Sequence, residues 1–168
     1  MKTRIKKTRG GFVDKISMVA NDIYKKITGG EEISLVYKPS RICCDSLKKN
    51  SDRDIYRGTT GEGIHMDEID FGINGASARS FASQGQQRSA ALSVKLAEIS
   101  IIKETTGQEP ILLLDDVLSE LDSYRREFLL SYVTAQQTII TATGVDELVK
   151  KISGRYNIMH VTEGRVNK

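Results

Sequence analysis

The stretch from Ser83 to Asp122 reads SQGQQRSAALSVKLAEISIIKETTGQEPILLLDDVLSELD, and it decides the fold. It opens with a polar Ser-x-Gly segment and continues with apolar residues at helical spacing. The helical pattern begins near Gln84 and is closed by Gly107 and Pro110. Apolar residues occupy most of its circumference, so the pattern predicts a helix that is buried on more than one side.

Two aspartates follow the apolar run Ile111 to Leu114. Such a run predicts a short strand that is buried on both faces of a parallel sheet. Ligands of open α/β sheets bind beyond the carboxyl ends of the strands, so Asp115 and Asp116 would lie at a ligand site. Hard cations such as Mg²⁺ prefer oxygen ligands, and a neighbouring carboxylate can orient water for attack on a γ-phosphate. The residues alone leave another interpretation open. Asp115 and Asp116 could simply lie at the N-terminus of a helix, where the helix dipole favours acidic side chains.

The Ser83-Gln84-Gly85-Gln86 segment precedes the long helix. The N-terminus of a helix offers free backbone N–H groups and a positive dipole end, which suits a phosphate. A glycine without a Cβ would let that phosphate approach the backbone. The alternative is that Ser83 is an ordinary N-cap and Gly85 an ordinary loop residue.

The order and spacing of these motifs resemble the nucleotide machinery of ABC-type ATPase heads. The segments Ser83–Leu92 and Leu112–Asp122 are similar, almost residue for residue, to the signature and acidic strand of the RecF family. This resemblance implies an α/β fold, namely the C-terminal part of an ABC-type head with a mostly parallel sheet, preceded by a helical arm. It also implies roles for individual residues: Asp116 in catalysis, Asp115 in binding Mg²⁺ through water, and Ser83, Gln84, Gly85, Gln86 and Asp122 in binding ATP.

The function implied by the resemblance is ATP-dependent dimerisation on double-stranded or gapped DNA, in recombinational gap repair with RecR and RecO type proteins. Hydrolysis would need a phosphate loop of the pattern Gly-x-x-x-x-Gly-Lys-Ser/Thr. None of the fourteen glycines stands in that pattern. We therefore expect a C-terminal fragment or one product of a divided gene, inactive as an ATPase by itself. The alternatives are a head fragment of another SMC-like ATPase and a non-catalytic module for DNA binding or dimerisation.

The composition of the 168 residues, 39% of them apolar, is enough for a real core. No apolar run is long enough to predict a membrane span, so a cytoplasmic protein is the default expectation. Residues 1–28 carry a net charge of +6, which fits either a nucleic-acid-facing surface or a solvated helix face. The adjacent Cys43 and Cys44 support neither a zinc site nor a disulfide framework.

The resemblance implies two regions in the chain, an arm at 1–57 and a head lobe at 58–168. The first contains an amphipathic helix that begins after Gly10-Gly11 or earlier and stops at Gly29-Gly30, a strand at Ile33–Tyr37, and helical structure over 41–57.

In the second region, Asn74-Gly75 predicts a type I′ hairpin between a strand at Asp67–Ile73 and an extended segment at Ala76–Ala82. Later predictions are a helix with Tyr124, Phe128 and Tyr132 towards the core, a strand at Thr138–Thr143, a helix around Asp146–Ile152, and a last hairpin through Ile158–Val161 and Gly164–Val166 that finishes the sheet.

The segment Gly63-Ile64-His65-Met66-Asp67 resembles a Gly-Pro-His-Arg-Asp segment of the RecF family. Two of its five positions differ, and one of these is the arginine. The resemblance implies a role for His65 and Asp67, whereas a single loop histidine is typically structural. ABC transporters commonly carry a γ-phosphate-sensing histidine after the strand at Thr138–Thr143, but here Thr143-Gly144 stands at that position.

Overall fold

A computed structural model describes residues 2–40, 43–133, 136–143 and 156–167. The chain forms two compact units, Met1–Gln108 and Glu109–Lys168. The predicted division into an arm at 1–57 and a head lobe at 58–168 is a different one, since it describes regions of a complete ATPase head. It stays a prediction. Within the described ranges, none of the helices is long and apolar enough to cross a membrane.

Where it is described, the first unit contains five helices and one antiparallel sheet. Its elements are α1 (Lys2–Thr28), β1 (Ile33–Lys38), α2 (Cys44–Lys49), α3 (Ser51–Arg57), a 3-10 turn at Ile64–Met66, β2 (Glu68–Ile73), β3 (Ala76–Ser77), α4 (Ala78–Phe81) and α5 (Gln84–Thr106). The predicted strand near 33–37 and the helical structure within 41–57 are confirmed where the chain is described.

Helix α1 packs its apolar face against α5 and β1. The face recurs every three or four residues and is buried at Val13, Ile16, Ala20, Ile23 and Ile27. Of the two starts that the sequence left open, the earlier one is observed, because the helix begins at Lys2 and runs through Gly10 and Gly11 without interruption. Two glycines lower helix stability by about 2 kcal/mol in total. The hydrogen bonds of Lys6 to the Ser40 carbonyl and of Arg9 to Asp67 hold the helix before them, and its buried face from Val13 onward holds it after them. The helix ends as predicted, with Gly29 and Gly30 at positive φ of 77° and 124°.

The sheet of the first unit has the order β1-β2-β3. Ile33 pairs with Ile73 and Lys38 with Glu68 in the antiparallel register of β1 and β2. The predicted hairpin is confirmed, since Asn74 and Gly75 both have positive φ, 49° and 80°. The predicted extended segment at Ala76–Ala82 is wrong after Ser77, where the chain turns into α4. The sequence of α4, Ala-Arg-Ser-Phe, has no β-branched residue to favour a strand.

Helix α5 agrees with its prediction at both ends and ends at Gly107, whose φ is +69°. Its buried residues lie on more than one side and include Leu92, Leu96, Ala97 and Ile99. Ile102 is an exception, because 44% of its surface is exposed. The two buried serines are satisfied by the preceding turn, as Ser89 donates to the Gly85 carbonyl and Ser93 to the Ser89 carbonyl, both at 2.8 Å.

The second unit contains the acidic strand. Its elements are β4 (Leu112–Asp115), a 3-10 turn at Val117–Glu120, α6 (Ser123–Tyr132), β5 (Thr138–Thr141), β6 (His160–Thr162) and β7 (Arg165–Asn167). Strands β4 and β5 are parallel, as predicted, with Leu112 opposite Thr138 and Asp115 opposite Thr141. The last hairpin also forms as predicted, but β6 and β7 make a separate two-stranded sheet and do not extend β4-β5.

Burial in the second unit differs from the prediction in two places. Strand β4 is buried on one face only, since Leu114 is buried while Ile111 and Leu113 are 61% and 68% exposed. Among the described residues β4 pairs with β5 alone, and only the face that carries Leu114 is covered. Helix α6 buries Leu129 and Leu130 and leaves Tyr124 60% exposed, so Tyr124 does not face the core. The helix predicted around 146–152 and Gly144 lie outside the described residues.

Candidate functional site

The acidic motif lies at the carboxyl end of β4, where the parallel sheet ends. Asp115 is the last residue of the strand, and its Oδ1 accepts a hydrogen bond from the Thr141 hydroxyl of β5. The N–H of Asp116 donates to the Thr141 hydroxyl at 3.0 Å and to the Thr141 carbonyl at 3.2 Å. Both carboxylates are exposed. Thr141 therefore ties the two aspartates to the neighbouring strand while leaving carboxylate oxygens available to a ligand.

Asp116 has an unusual backbone conformation. Its φ of 48° and ψ of 18° place it in the left-handed region, and it caps the following 3-10 turn. Residues other than glycine enter this region at a cost, although aspartate and asparagine tolerate it better than most. The Ser119 hydroxyl donates to the Asp116 carbonyl at 2.7 Å, which closes the turn. The left-handed residue turns the chain sharply immediately after the strand.

Asp122 caps the helix that follows. Its Oδ1 accepts from the Arg125 N–H at 2.9 Å, and its Oδ2 lies 2.6 Å from Nη1 of the Arg125 side chain. The carboxylate is thus held at the N-terminus of α6, where the helix dipole also favours it.

The Ser-x-Gly segment lies in the first unit, at the N-terminus of α5. Ser83 and Gln86 form a capping box: the Ser83 Oγ accepts from the Gln86 N–H at 3.2 Å, and the Gln86 Oε1 accepts from the Ser83 N–H at 3.0 Å. The N-cap interpretation of Ser83 is therefore confirmed. A hydroxyl that accepts one hydrogen bond still has its own proton to donate, and the N–H groups of Gln84 and Gly85 have no acceptor within the helix.

Two residues of α1 and its following turn hold this capping box. The Gln86 Nε2 donates to Glu31 Oε1 at 2.8 Å, and the Tyr24 hydroxyl donates to Glu31 Oε2 at 3.1 Å. The Tyr24 side chain is fully buried. The signature segment is therefore connected through two hydrogen bonds to the core of the first unit.

Asp67 is the centre of a different polar cluster. Its carboxylate is only 4% exposed and accepts from Arg9 at 2.6 Å, from the Ser40 N–H at 2.9 Å and from the Tyr37 hydroxyl. The Tyr37 hydroxyl in the first place, and then the Ser40 N–H and Arg9, hold the pKa of Asp67 well below its usual range despite its burial. Asp67 thus joins α1, β1 and the loop before β2. His65 contacts the Thr60 carbonyl at 2.9 Å through Nε2.

The predicted site residues therefore fall into two sets. Ser83, Gln84, Gly85 and Gln86 belong to the first unit, whereas Asp115, Asp116 and Asp122 belong to the second. No cluster of three or more His, Cys, Asp or Glu side chains suited to a metal occurs in the part of the chain that the structure describes. The oxygen-only donor set at the end of β4 nevertheless fits Mg²⁺, which usually keeps several of its waters and binds through one or two carboxylates.

The residues that hold the acidic motif and the Ser-x-Gly segment in place were not predicted from the sequence. Thr141 could have been found by aligning the carboxyl ends of the two predicted parallel strands. Glu31 gave no local signal, because it contacts Gln86 from 55 residues away in the chain. Tyr24 is linked to Gln86 through Glu31.

The solved structures that resemble this chain define its class. A structure of the recombination mediator protein RecF-ATPrS in the RecFOR pathway matches 98% of this chain and 46% of its own, with a TM-score of 0.76 and 30% identity. A RecF-ATP structure matches 85% of this chain with a TM-score of 0.68 and 32% identity. An SMC ATPase structure shares the fold, with a TM-score of 0.56 at 15% identity. The fold is therefore that of the C-terminal part of an ABC-type ATPase head.

Sequence relatives then identify the family within that class. RecF of Agathobacter rectalis is 43% identical over 164 residues, and RecF of Lachnoclostridium phytofermentans is 43% identical over 166. These matches cover 95% and 96% of this chain but 45% and 46% of the relatives, so the chain spans about half their length. No protein-family model matches it. Over nearly its whole length the chain corresponds to the C-terminal part of these RecF proteins.

Proposed function

We propose that this chain is the C-terminal portion of a RecF-like DNA-repair ATPase that dimerises on DNA when it binds ATP. The observation that carries the proposal is the pair of exposed aspartates at the carboxyl end of β4, the Asp115 carboxylate and the Asp116 N–H being bonded to Thr141, in a chain 43% identical to RecF proteins. The nucleotide is ATP, which the RecF-ATP structures name as the ligand of those relatives.

The acidic strand end supplies the hydrolytic groups. Asp116 orients and polarises the attacking water through its exposed carboxylate, and Asp115 holds Mg²⁺ through a water molecule. When bound, Mg²⁺ neutralises charge on the β- and γ-phosphates. Thr141 fixes the Asp115 carboxylate through its hydroxyl and the Asp116 main chain through the Asp116 N–H, so the turn that carries both aspartates is ordered before the nucleotide arrives.

The signature segment supplies groups for a phosphate. The Ser83 hydroxyl and the N–H groups of Gln84 and Gly85 donate to the γ-phosphate of a nucleotide held by the phosphate loop of a second protomer. Gln86 keeps the segment in shape by closing the capping box, and Asp122 orders the turn after the acidic strand. ATP then lies between two protomers, so that nucleotide binding and dimerisation are energetically coupled.

The partners follow from the same role. Double-stranded or gapped DNA is the substrate that the dimer holds, and RecR and RecO type proteins are the partners in recombinational gap repair. ATP hydrolysis then releases the dimer from DNA. The protein acts in the cytoplasm, where bacterial DNA lies.

The test of this function is dimerisation of the complete protein that carries this chain, measured by sedimentation with and without ATP and duplex DNA. The wild type is expected to dimerise with ATP, and Ser83→Arg to remain monomeric because the larger cation fills the position of the phosphate. Ser80→Arg, an exposed change in the preceding helix, is the matched control and should dimerise like the wild type. Equal ATP-dependent dimerisation of wild type and Ser83→Arg would contradict the proposal.

A further inference from the structure

Glu31 occupies an unusual position for a partly exposed acidic residue. It lies in the turn between α1 and β1, yet both of its carboxylate oxygens are used within the first unit. Oε1 accepts from the Gln86 side chain at 2.8 Å, and Oε2 accepts from the fully buried Tyr24 hydroxyl at 3.1 Å. The neighbouring Glu32 instead forms a surface ion pair with Lys25 at 2.7 Å.

The bond from Glu31 determines what the Gln86 side chain can do. An amide has one acceptor oxygen and one donor nitrogen, and rotation about its last bond exchanges them. Because Glu31 is an acceptor, it selects the rotamer in which Nε2 faces Glu31 and Oε1 faces the Ser83 N–H. Only this rotamer can close the capping box, since the Ser83 N–H needs an acceptor.

The order of the Ser83 side chain depends on the same chain of contacts. Its Oγ accepts from the Gln86 N–H at 3.2 Å, so its remaining functional group is the hydroxyl proton. Tyr24 anchors the other end, because a fully buried side chain on α1 has little freedom to move. The path from Tyr24 through Glu31 and Gln86 to Ser83 thus connects the phosphate-facing segment to a rigid core.

We propose that Glu31 is a positioning residue for the signature segment, which it holds ready to bind the γ-phosphate of the second protomer's ATP. The phosphate that the segment would bind is part of the proposed function, on which this inference rests. The positioning by Glu31 rests on the hydrogen bonds described above. Glu31 does not contact ATP; it acts through Gln86.

The first experiment needs no nucleotide. Amide hydrogen exchange at Ser83 and Gln86 is measured by NMR in this 168-residue chain. In Glu31→Ala we expect exchange at Ser83 to be about tenfold faster, because the Gln86 rotamer is no longer fixed. Glu31→Gln retains an acceptor oxygen for Gln86 and should exchange like the wild type. Glu32→Ala, which removes the adjacent acid, is the matched control and should also leave exchange at Ser83 unchanged.

The second experiment uses the complete protein. In Glu31→Ala the ATP concentration for half-maximal dimerisation is expected to rise about tenfold, with recovery in Glu31→Gln. Binding of a fluorescent ATP analogue to the monomer should stay unchanged, because the signature segment serves the other protomer's nucleotide. General damage to the fold would instead weaken both processes.

One result would contradict the role of Glu31 alone, and a different result would contradict the proposed function. If Ser83→Arg abolishes ATP-dependent dimerisation while Glu31→Ala leaves it and the exchange at Ser83 unchanged, the role of Glu31 is wrong and the proposed function stands. If the wild type and Ser83→Arg respond identically to ATP, the proposed function fails, and the positioning role towards ATP fails with it. Failure of Glu31→Gln to restore either measurement would also contradict the hydrogen-bond mechanism.

Discussion

Asp67 shows how one carboxylate can hold several elements together. It is nearly buried and accepts hydrogen bonds from Tyr37, Ser40 and Arg9, which lie on β1, after β1 and on α1. Its resemblance to a family segment suggested a functional role, but its contacts are those of a structural residue. Sequence alone did not distinguish these roles, because Arg9 lies 58 residues away.

The first prediction concerns Asp67→Asn, which should destabilise the first unit at neutral pH. The pKa of Asp67 is depressed in the folded state, so its stabilising contribution is present above the unfolded pKa of about 3.9 and is lost as the pH falls from there through the folded pKa. The difference in unfolding free energy between wild type and variant should therefore be largest near pH 7 and shrink below about pH 4. Urea unfolding at a series of pH values measures it.

Asp70→Asn is the matched control for this pH series. Asp70 is half exposed and pairs with Lys38 at the surface, where ion pairs contribute little. If the difference in unfolding free energy between wild type and Asp67→Asn is the same at pH 7 and pH 3, the ionised Asp67 carboxylate does not stabilise the first unit as described.

The second prediction concerns Asp116→Asn, which should separate chemistry from folding. Asparagine has nearly the same shape and tolerates a left-handed backbone, and the N–H bonds to Thr141 do not involve the changed atom. The unfolding free energy should stay within about 0.5 kcal/mol of the wild type, while ATP hydrolysis by the complete protein should fall at least about 100-fold. Asp116→Val should instead destabilise the chain, because a β-branched residue is strained at this φ. Equal stability of both variants would contradict the strained turn.

At the level of elements, the sequence predicted both ends of α5 correctly. It predicted the start of α1 and the buried face of α6 less well. Ser83, Gln86 and Gly107 are local signals, and both helix ends follow from them. The continuation of α1 through Gly10-Gly11 and the shift of the buried face of α6 to Leu129 and Leu130 depend on packing partners that are distant in the chain. Local propensity contains no information about those partners.

The third prediction tests the cap of α5. Ser83→Ala removes the acceptor for the Gln86 N–H and should lower the unfolding free energy of this chain by about 1 kcal/mol. Ser80→Ala, an exposed change in α4, should be within about 0.5 kcal/mol of the wild type. Urea unfolding compares the two, and indistinguishable values would contradict the capping box.

The fourth prediction concerns the exposed apolar face of β4 and β5. Leu113 and Ile139 are 68% and 54% exposed on adjacent strands. An apolar strand pair of this kind favours association between copies. In sedimentation velocity, Leu113→Lys should lower the self-association of the 168-residue chain, whereas Gln137→Lys adds the same charge and should leave it unchanged. Equal association of the two variants would show that this face plays no part.

At the level of the whole molecule, the class of protein followed from the order of three short motifs, each of which is weak alone. The structure has the Ser-x-Gly segment at a helix N-terminus and the two aspartates at the carboxyl end of a parallel strand, while their roles towards ATP stay a proposal. Thr141 supports its motif from the neighbouring strand and could be found only by aligning the carboxyl ends of the two predicted parallel strands. Glu31 was not predictable, because a hydrogen bond between residues so distant in the chain leaves no pattern in one sequence.

The most direct test of the account is ATP hydrolysis by this 168-residue chain, measured alone and after addition of a RecF segment that carries the phosphate loop. No turnover is expected from the chain alone, because none of its fourteen glycines stands in a phosphate-loop pattern. Turnover is expected with the added segment, and Asp116→Asn should abolish it. Turnover by the chain alone that disappears in Asp116→Asn would contradict the account, since this chain would then bind the phosphates of ATP without a phosphate loop.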